Sequence, residues 1–250
     1  MKQTLLYLAY FVSIQLIAGY MASLFQESLV LATILANIIV VAVFLFLLRR
    51  QKMTVPTLMP ILLSVTISVS VLLPSLKFQE LMPQLTNNME AEFAAIMKNT
   101  VLGYIAVAVL APLAEELVFR GAILSALLRS RKLASFSQNH YPIYAICISA
   151  VLFALIHGNP AQMPRAFLDG LLLGWIVYRS GSLILAIILH WINNSLAFVL
   201  YKAFPDPNTK LVDIFGSQST EWIAVSASLI VLVISILLFK RTTKSNIVGR

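Results

Sequence analysis

The chain has 250 residues, of which 60% are hydrophobic and 11% charged, with a mean hydropathy of +0.90. Those values exclude a water-soluble domain with a large core and indicate an integral membrane protein, a single transmembrane domain over 1–250. The formal charge of +8 is not a nucleic-acid footprint, because the basic residues gather at the ends of apolar runs. Arg49, Arg50 and Lys52 form one group, Arg129, Arg131 and Lys132 another, and Lys240, Arg241 and Lys244 a third. This is the positive-inside distribution of a polytopic protein, with attraction to anionic lipid headgroups and no nucleic-acid partner. The one cysteine, Cys147, lies in an apolar run; it reads as a small buried hydrophobe and has no partner for an internal disulfide.

The expected fold is all-α, with eight membrane spans in chain order. The first, 4–25, is long and has no convincing small-x-small cleavage site, so it reads as a retained helix rather than a signal peptide. The second is 28–48, stopped by Arg49-Arg50. The third, 58–76, contains Pro60 and Pro74 and a Ser/Thr-rich face able to restore backbone hydrogen bonds locally. A polar connection over 77–98 follows, with Glu80, Glu90, Glu92 and a short interfacial helix. The remaining spans are 99–128, 141–156 (closed by His157-Gly158-Asn159-Pro160), 166–178, 182–204 and 222–239. At about 20 residues per crossing, the span at 166–178 must be tilted, extended or covered by protein. The basic loops follow even-numbered spans and Glu27, Glu80 and Asp206 fall on the other side, so both termini are expected in the cytoplasm.

Polar residues inside these apolar runs carry the functional signal. Glu115, Glu116 and Arg120 lie within the fourth span, where an ionised group costs about 2.5–3.5 kcal/mol unless paired or facing a polar cavity. Helical spacing pairs Glu116 with Arg120 at i and i+4. Glu115 points about 100° away and needs another partner. Phe153 and His157 share a face at the end of the fifth span, and His190 and Asn194 share one within the seventh. A carboxylate and an imidazole can deprotonate water, while a second imidazole and an amide can stabilise an oxyanion, which is the chemistry of amide hydrolysis. The blander readings are a structural Glu–Arg pair, an interfacial histidine at 157, and an Arg165–Asp169 pair. His140 lies in a polar connection without such a context.

Glu115-Glu116-x-x-x-Arg120, then Phe153-x-x-x-His157, then His190-x-x-x-Asn194 resembles the signature of the CAAX protease and bacteriocin-processing family of intramembrane proteases. Its eukaryotic relatives are the type II CAAX prenyl endopeptidases. The stretch Gly170-Leu-Leu-Leu-Gly174, followed by Arg179-Ser-Gly-Ser-Leu, is similar to bacterial members. The resemblance covers about 99–200, the expected catalytic core, and implies an intramembrane endopeptidase. Glu115, assisted by His157, would activate water; His190 and Asn194 would form the oxyanion site. Glu116 and Arg120 would be the supporting pair, and Phe153 would lie beside the site. The motif assigns no role to Asn193.

Two alternatives stay open. Glu115, His157 and His190 could instead be zinc ligands, although no His-Glu-x-x-His is present, nor the motifs of rhomboid or intramembrane aspartyl proteases. The metal-free form is the primary expectation, with no cofactor. The other alternative is a transporter, adaptor or immunity protein without catalysis; the repeated broken helices common in transporters are not visible. The expected partners are a peptide or lipidated protein substrate and membrane lipids, and the expected location is a prokaryotic plasma membrane. Counting helical rise outward places Glu115 and His157 at depths about 10 Å apart.

Overall fold

The computed structural model describes residues 2–25, 29–51, 54–82, 85–136, 140–206 and 209–243. Glu27, Ser28, Lys52 and Lys244 lie outside the described residues. Every regular element among those described is a helix: α1 Lys2–Phe25, α2 Leu29–Leu48, α3 Leu58–Leu81, α4 Glu90–Met97, α5 Thr100–Leu128, α6 Arg131–Phe136, α7 Tyr141–Leu155, α8 Met163–Ser180, α9 Leu183–Ala203, α10 Leu211–Phe215 and α11 Gln218–Thr242.

Six of these (α1, α2, α3, α5, α9 and α11) are long and apolar enough to cross a membrane. Large side chains such as Leu16, Phe46 and Ile230 are exposed on their outer faces, as expected where the solvent is lipid. The expected fifth and sixth spans differ from these. α7 has only 15 residues, and α8, with 18, carries Arg165, Asp169 and Arg179. The two helices pack together closely. A Cβ on Gly170 would meet Ala150 at 2.9 Å, and one on Gly174 would meet Ile146 at 3.1 Å. Small residues thus let the two backbones approach, which is the physical content of the Gly170/Gly174 spacing.

α5 is the axis of the bundle. Leu117, Val118, Phe119, Ala122, Ile123 and Leu124 are sealed against Val40, Phe44 and Leu48 of α2 and Ala145, Ile146 and Phe153 of α7. A second apolar cluster joins Leu63 and Ile67 of α3 to Leu185 and Leu189 of α9 and Leu232 and Phe239 of α11. α5 is not a uniform α-helix. Tyr104–Leu110 and Leu117–Leu124 widen to π-type turns on either side of the α-helical Ala111–Glu116, a distortion frequent at functional sites.

Two interior prolines free carbonyls that neighbouring helices then satisfy. Ala111 N–H bonds to Ala106, and Pro112 has no N–H, so the Val107 carbonyl has no donor from its own helix. The Asn194 side-chain amide of α9 donates to it at 3.0 Å. In α3, Pro74 frees the Ser70 carbonyl, which accepts from Ser228 Oγ of α11 at 2.9 Å. Repair at Pro74 therefore comes from another helix and not, as expected, from α3's own Ser/Thr face, although Ser70 Oγ does bond to the Thr66 carbonyl at 2.7 Å. α3 also extends to Leu81, which places Lys77 and Glu80 on a helix rather than in the polar connection. There Lys77 pairs with Glu80 at 3.0 Å and with Glu221 of α11.

Candidate active site

The two adjacent carboxylates of α5 occupy different environments. Glu116 faces inward and its side chain is 0% exposed; Glu115, on the next position around the helix, is 17% exposed. Glu116 Oε1 accepts from Arg120 Nη1 at 2.7 Å and from His190 Nδ1 at 2.9 Å. Arg120 is itself fully buried; its second terminal nitrogen approaches the Gly170 carbonyl at 3.4 Å. Its guanidinium lies 4.4 Å from the centre of the Phe153 ring. The Glu116–Arg120 pair thus ties α5 to α8 and α9 and presses the cation on an aromatic face of α7.

His190 stands between the two carboxylates. With Nδ1–H committed to Glu116, Nε2 is the nitrogen facing Glu115, 3.8 Å from its Oε2. That separation is too long for a direct hydrogen bond, so Glu115 Oε2 is not tied to the ring. Phe153 forms the apolar wall, with edge-to-face contacts to Phe119 at 5.2 Å, His157 at 4.9 Å and His190 at 6.0 Å. Phe153 thus touches both His157 and His190. Its Nδ1 bonds the Phe153 carbonyl at 2.8 Å; a carbonyl only accepts, so Nδ1 carries the proton and the Nε2 lone pair is left as the basic atom.

Asn194 lies one turn after His190 on α9. One of its two amide N–H groups is spent on the Val107 carbonyl freed by Pro112, leaving the other for a further acceptor. Asn193 points into protein; it is buried and its Oδ1 has no partner. Arg165 and Asp169 of α8 form the expected pair, Nε to Oδ2 at 3.7 Å. Cys147 is half-buried on α7.

The depth conflict expected between Glu115 and His157 does not arise. α7, about 22 Å long at 1.5 Å per residue, ends beside the buried segment 116–120 of α5 through Phe153. The turn after His157 then meets the connection between α3 and α4. Asn159, fully buried, donates to Asn87 Oδ1 at 2.8 Å and accepts from Asn88 N at 3.3 Å. Ala161 N adds a bond to the Thr86 carbonyl at 3.3 Å. Gly158, between the histidine and this clasp, has φ 62°, which a glycine adopts without strain.

Sequence reading missed this clasp, treating His157-Gly-Asn-Pro only as a helix stop; a buried-amide interpretation of Asn159 was the available signal. It also missed Tyr104, whose hydroxyl lies 3.1 Å from Ser195 Oγ and accepts from Trp191 Nε1 at 3.3 Å on the α9 turn next to His190. Pro112 inside an apolar run was the signal for the distortion of α5.

Zinc would require its ligands to converge on one point at about 2.0–2.2 Å. His190 and His157 each spend Nδ1 on an acceptor and keep Nε2 free, an arrangement that metal-ligating histidines share. Among the described residues no three His, Cys, Asp or Glu side chains are arranged to hold a metal ion. Glu115, His157 and His190 are not gathered into such a group.

Comparison with known proteins bears on the same segment. The family model described as "Type II CAAX prenyl endopeptidase Rce1-like" matches residues 97–196. No curated protein and no solved structure matches the chain.

Proposed function

We propose, on the premise that residues 97–196 belong to the Rce1-like family of type II CAAX prenyl endopeptidases, that this integral membrane protein is an intramembrane endopeptidase of the glutamate type. The observation that carries the reading is the asymmetry of the two carboxylates: Glu116 is sealed and doubly bonded, whereas Glu115 is partly open and stands beside the His190 imidazole at 3.8 Å without a direct bond to it. Glu115 and the free Nε2 of His157 take a proton from water, whose oxygen attacks the scissile carbonyl. The oxyanion that forms accepts from His190 Nε2–H, with Glu116 behind the ring supplying the counter-charge, and from the second amide N–H of Asn194. The abstracted proton passes to the leaving amine as the C–N bond breaks. Arg120 and Phe153 hold this arrangement and do not touch substrate.

The substrate class that fits is a membrane-associated or lipidated peptide segment, since the reacting groups lie among apolar helices. The catalytic core is 99–200 and the host compartment a prokaryotic plasma membrane. The testing experiment follows cleavage of a fluorogenic library of peptides and lipidated peptides by the detergent-purified protein, with His157→Ala and His190→Ala alongside and a zinc chelator in parallel. Cleavage is expected to fall in both variants and to be unaffected by chelation. Loss on chelation with recovery on zinc addition would move these residues into a ligand role. Full cleavage by both variants would remove them from the site.

The Asn159 clasp supplies a separate expectation. Asn159→Ala frees the turn that carries His157, and a misplacement of about 1 Å costs up to 10²-fold in rate. The value of kcat is expected to fall about tenfold or more, with KM largely unchanged because Asn159 itself meets no substrate. A variant altered in KM alone would assign the residue to substrate binding instead.

A further inference from the structure

We propose that the basic end of the bundle, remote from the carboxylates, contains a phosphate-binding site where α3 and α9 begin and α11 ends. A cavity of about 160 Å³ opens there, lined by Thr54, Thr57, Ser182, Thr242 and Thr243 among others. Thr57 and Ser182 are the residues preceding the first turns of α3 and α9, helices of 24 and 21 residues, and neither side chain caps its own helix. The first-turn N–H groups of α9, and those of Leu58 and Met59 in α3 (Pro60 has none), therefore receive no cap from Ser182 or Thr57 at the positive ends of two helix dipoles.

A second observation is independent of the helix ends. Ser182 is fully buried, lines the cavity, and its hydroxyl has no partner. A buried unpaired hydroxyl is costly and needs an explanation; an acceptor bound in the cavity provides one.

The sequence segments that reach this junction carry basic and no acidic residues. Among the described residues the opposing element is the C-terminal end of α11, whose last carbonyls carry partial negative charge. Arg179 covers them: its guanidinium donates to the carbonyls of Lys240, at 2.7 Å, and Thr243. Lys240 and Arg241 follow on the same helix end, and no Asp or Glu occurs in 49–57, 129–140, 179–182 or 240–250. Donors from two helix ends and several hydroxyls match the multiple acceptor oxygens of a phosphate better than the two of a carboxylate. Val55, 80% exposed, lines the cavity together with Pro56 and Leu185. They provide apolar surface for the chain of a phospholipid at the level where basic residues meet headgroups. The phosphate of a lipid headgroup and free phosphate share this chemistry, and the test separates them.

The full-length protein, delipidated in detergent, is titrated with dioleoylphosphatidic acid, dioleoylglycerol or inorganic phosphate. Binding is read by native mass spectrometry and by the thermal unfolding midpoint. Phosphatidic acid is expected to be retained and to raise the midpoint, and dioleoylglycerol, lacking the phosphate, to do neither. Stabilisation by inorganic phosphate equal to that by phosphatidic acid assigns the site to the free anion; stabilisation by phosphatidic acid alone assigns it to the lipid. Thr57→Asp places a carboxylate at the α3 end and is expected to weaken phosphatidic acid binding about tenfold while preserving the fold, since Asp is itself a good cap. Ser182→Ala removes an unpaired hydroxyl, so it is expected to weaken binding without lowering the midpoint of the lipid-free protein. Equal effects of dioleoylglycerol and phosphatidic acid, or binding unchanged in both variants, would overturn the proposal. The readout is independent of peptide cleavage, so its failure leaves the catalytic reading untouched.

Discussion

Glu115→Gln is expected to abolish peptide cleavage while leaving the protein as stable as wild type. The substitution keeps side-chain length and the ability to bond water, and removes only the capacity to accept a proton. Loss of general-base catalysis lowers rates by about 10²–10⁴-fold, and the decrease should fall on kcat because ground-state contacts are retained. Stability is expected to hold because Glu115 is partly exposed and approaches His190 only at 3.8 Å; no close ion pair is lost. The neighbouring Glu116→Gln is the informative contrast, since it strikes a sealed residue bonded at 2.7 and 2.9 Å. The measurement is single-turnover cleavage beside the thermal midpoint of each variant in the same detergent. Wild-type turnover by Glu115→Gln would rule out this carboxylate as the base.

Arg120→Met is expected to be the most destabilising single change in the molecule's interior. Arg120 and Glu116 are both fully buried, and removing one member of such a pair strands a charge at a cost of about 3–5 kcal/mol. The Gly170 carbonyl and the face of Phe153 lose a partner in the same step. The double variant Glu116→Gln/Arg120→Met carries no stranded charge, so most of the stability should return. Cleavage should not return with it. His190 would keep only a neutral amide beside Nδ1 in place of the carboxylate, and the counter-charge for the oxyanion step would be gone. Thermal unfolding of the two single variants and the double variant gives the coupling directly. A single variant as stable as wild type would show that the pair contributes nothing to the fold, and recovered cleavage in the double variant would reduce Glu116 to packing.

Much of this was legible in the chain itself. Apolar runs bounded by Arg and Lys marked the helices, because a segment that buries its own backbone hydrogen bonds in lipid must be long, apolar and helical. The spacing of Glu116 and Arg120 foretold their pair, since i and i+4 meet on any α-helix, and the family match over 97–196 spans the segments 115–120, 153–157 and 190–194. Other features depended on contacts between distant segments. Nothing local in Glu115-Glu116 says which carboxylate is sealed; that follows from where α8 and α9 bring Gly170 and His190. Asn194's bond to Val107 depends on a proline on a different helix, Ser228's bond to Ser70 on another, and the Asn159 clasp on a segment some seventy residues earlier. The physical reason is common to all of them. On a soluble helix a polar stripe marks the outer face, but lipid is as apolar as a protein interior, so a membrane helix carries little contrast between its two faces. Its composition determines that it crosses the bilayer, and only its neighbours decide which of its few polar atoms are paired, sealed or left open to react.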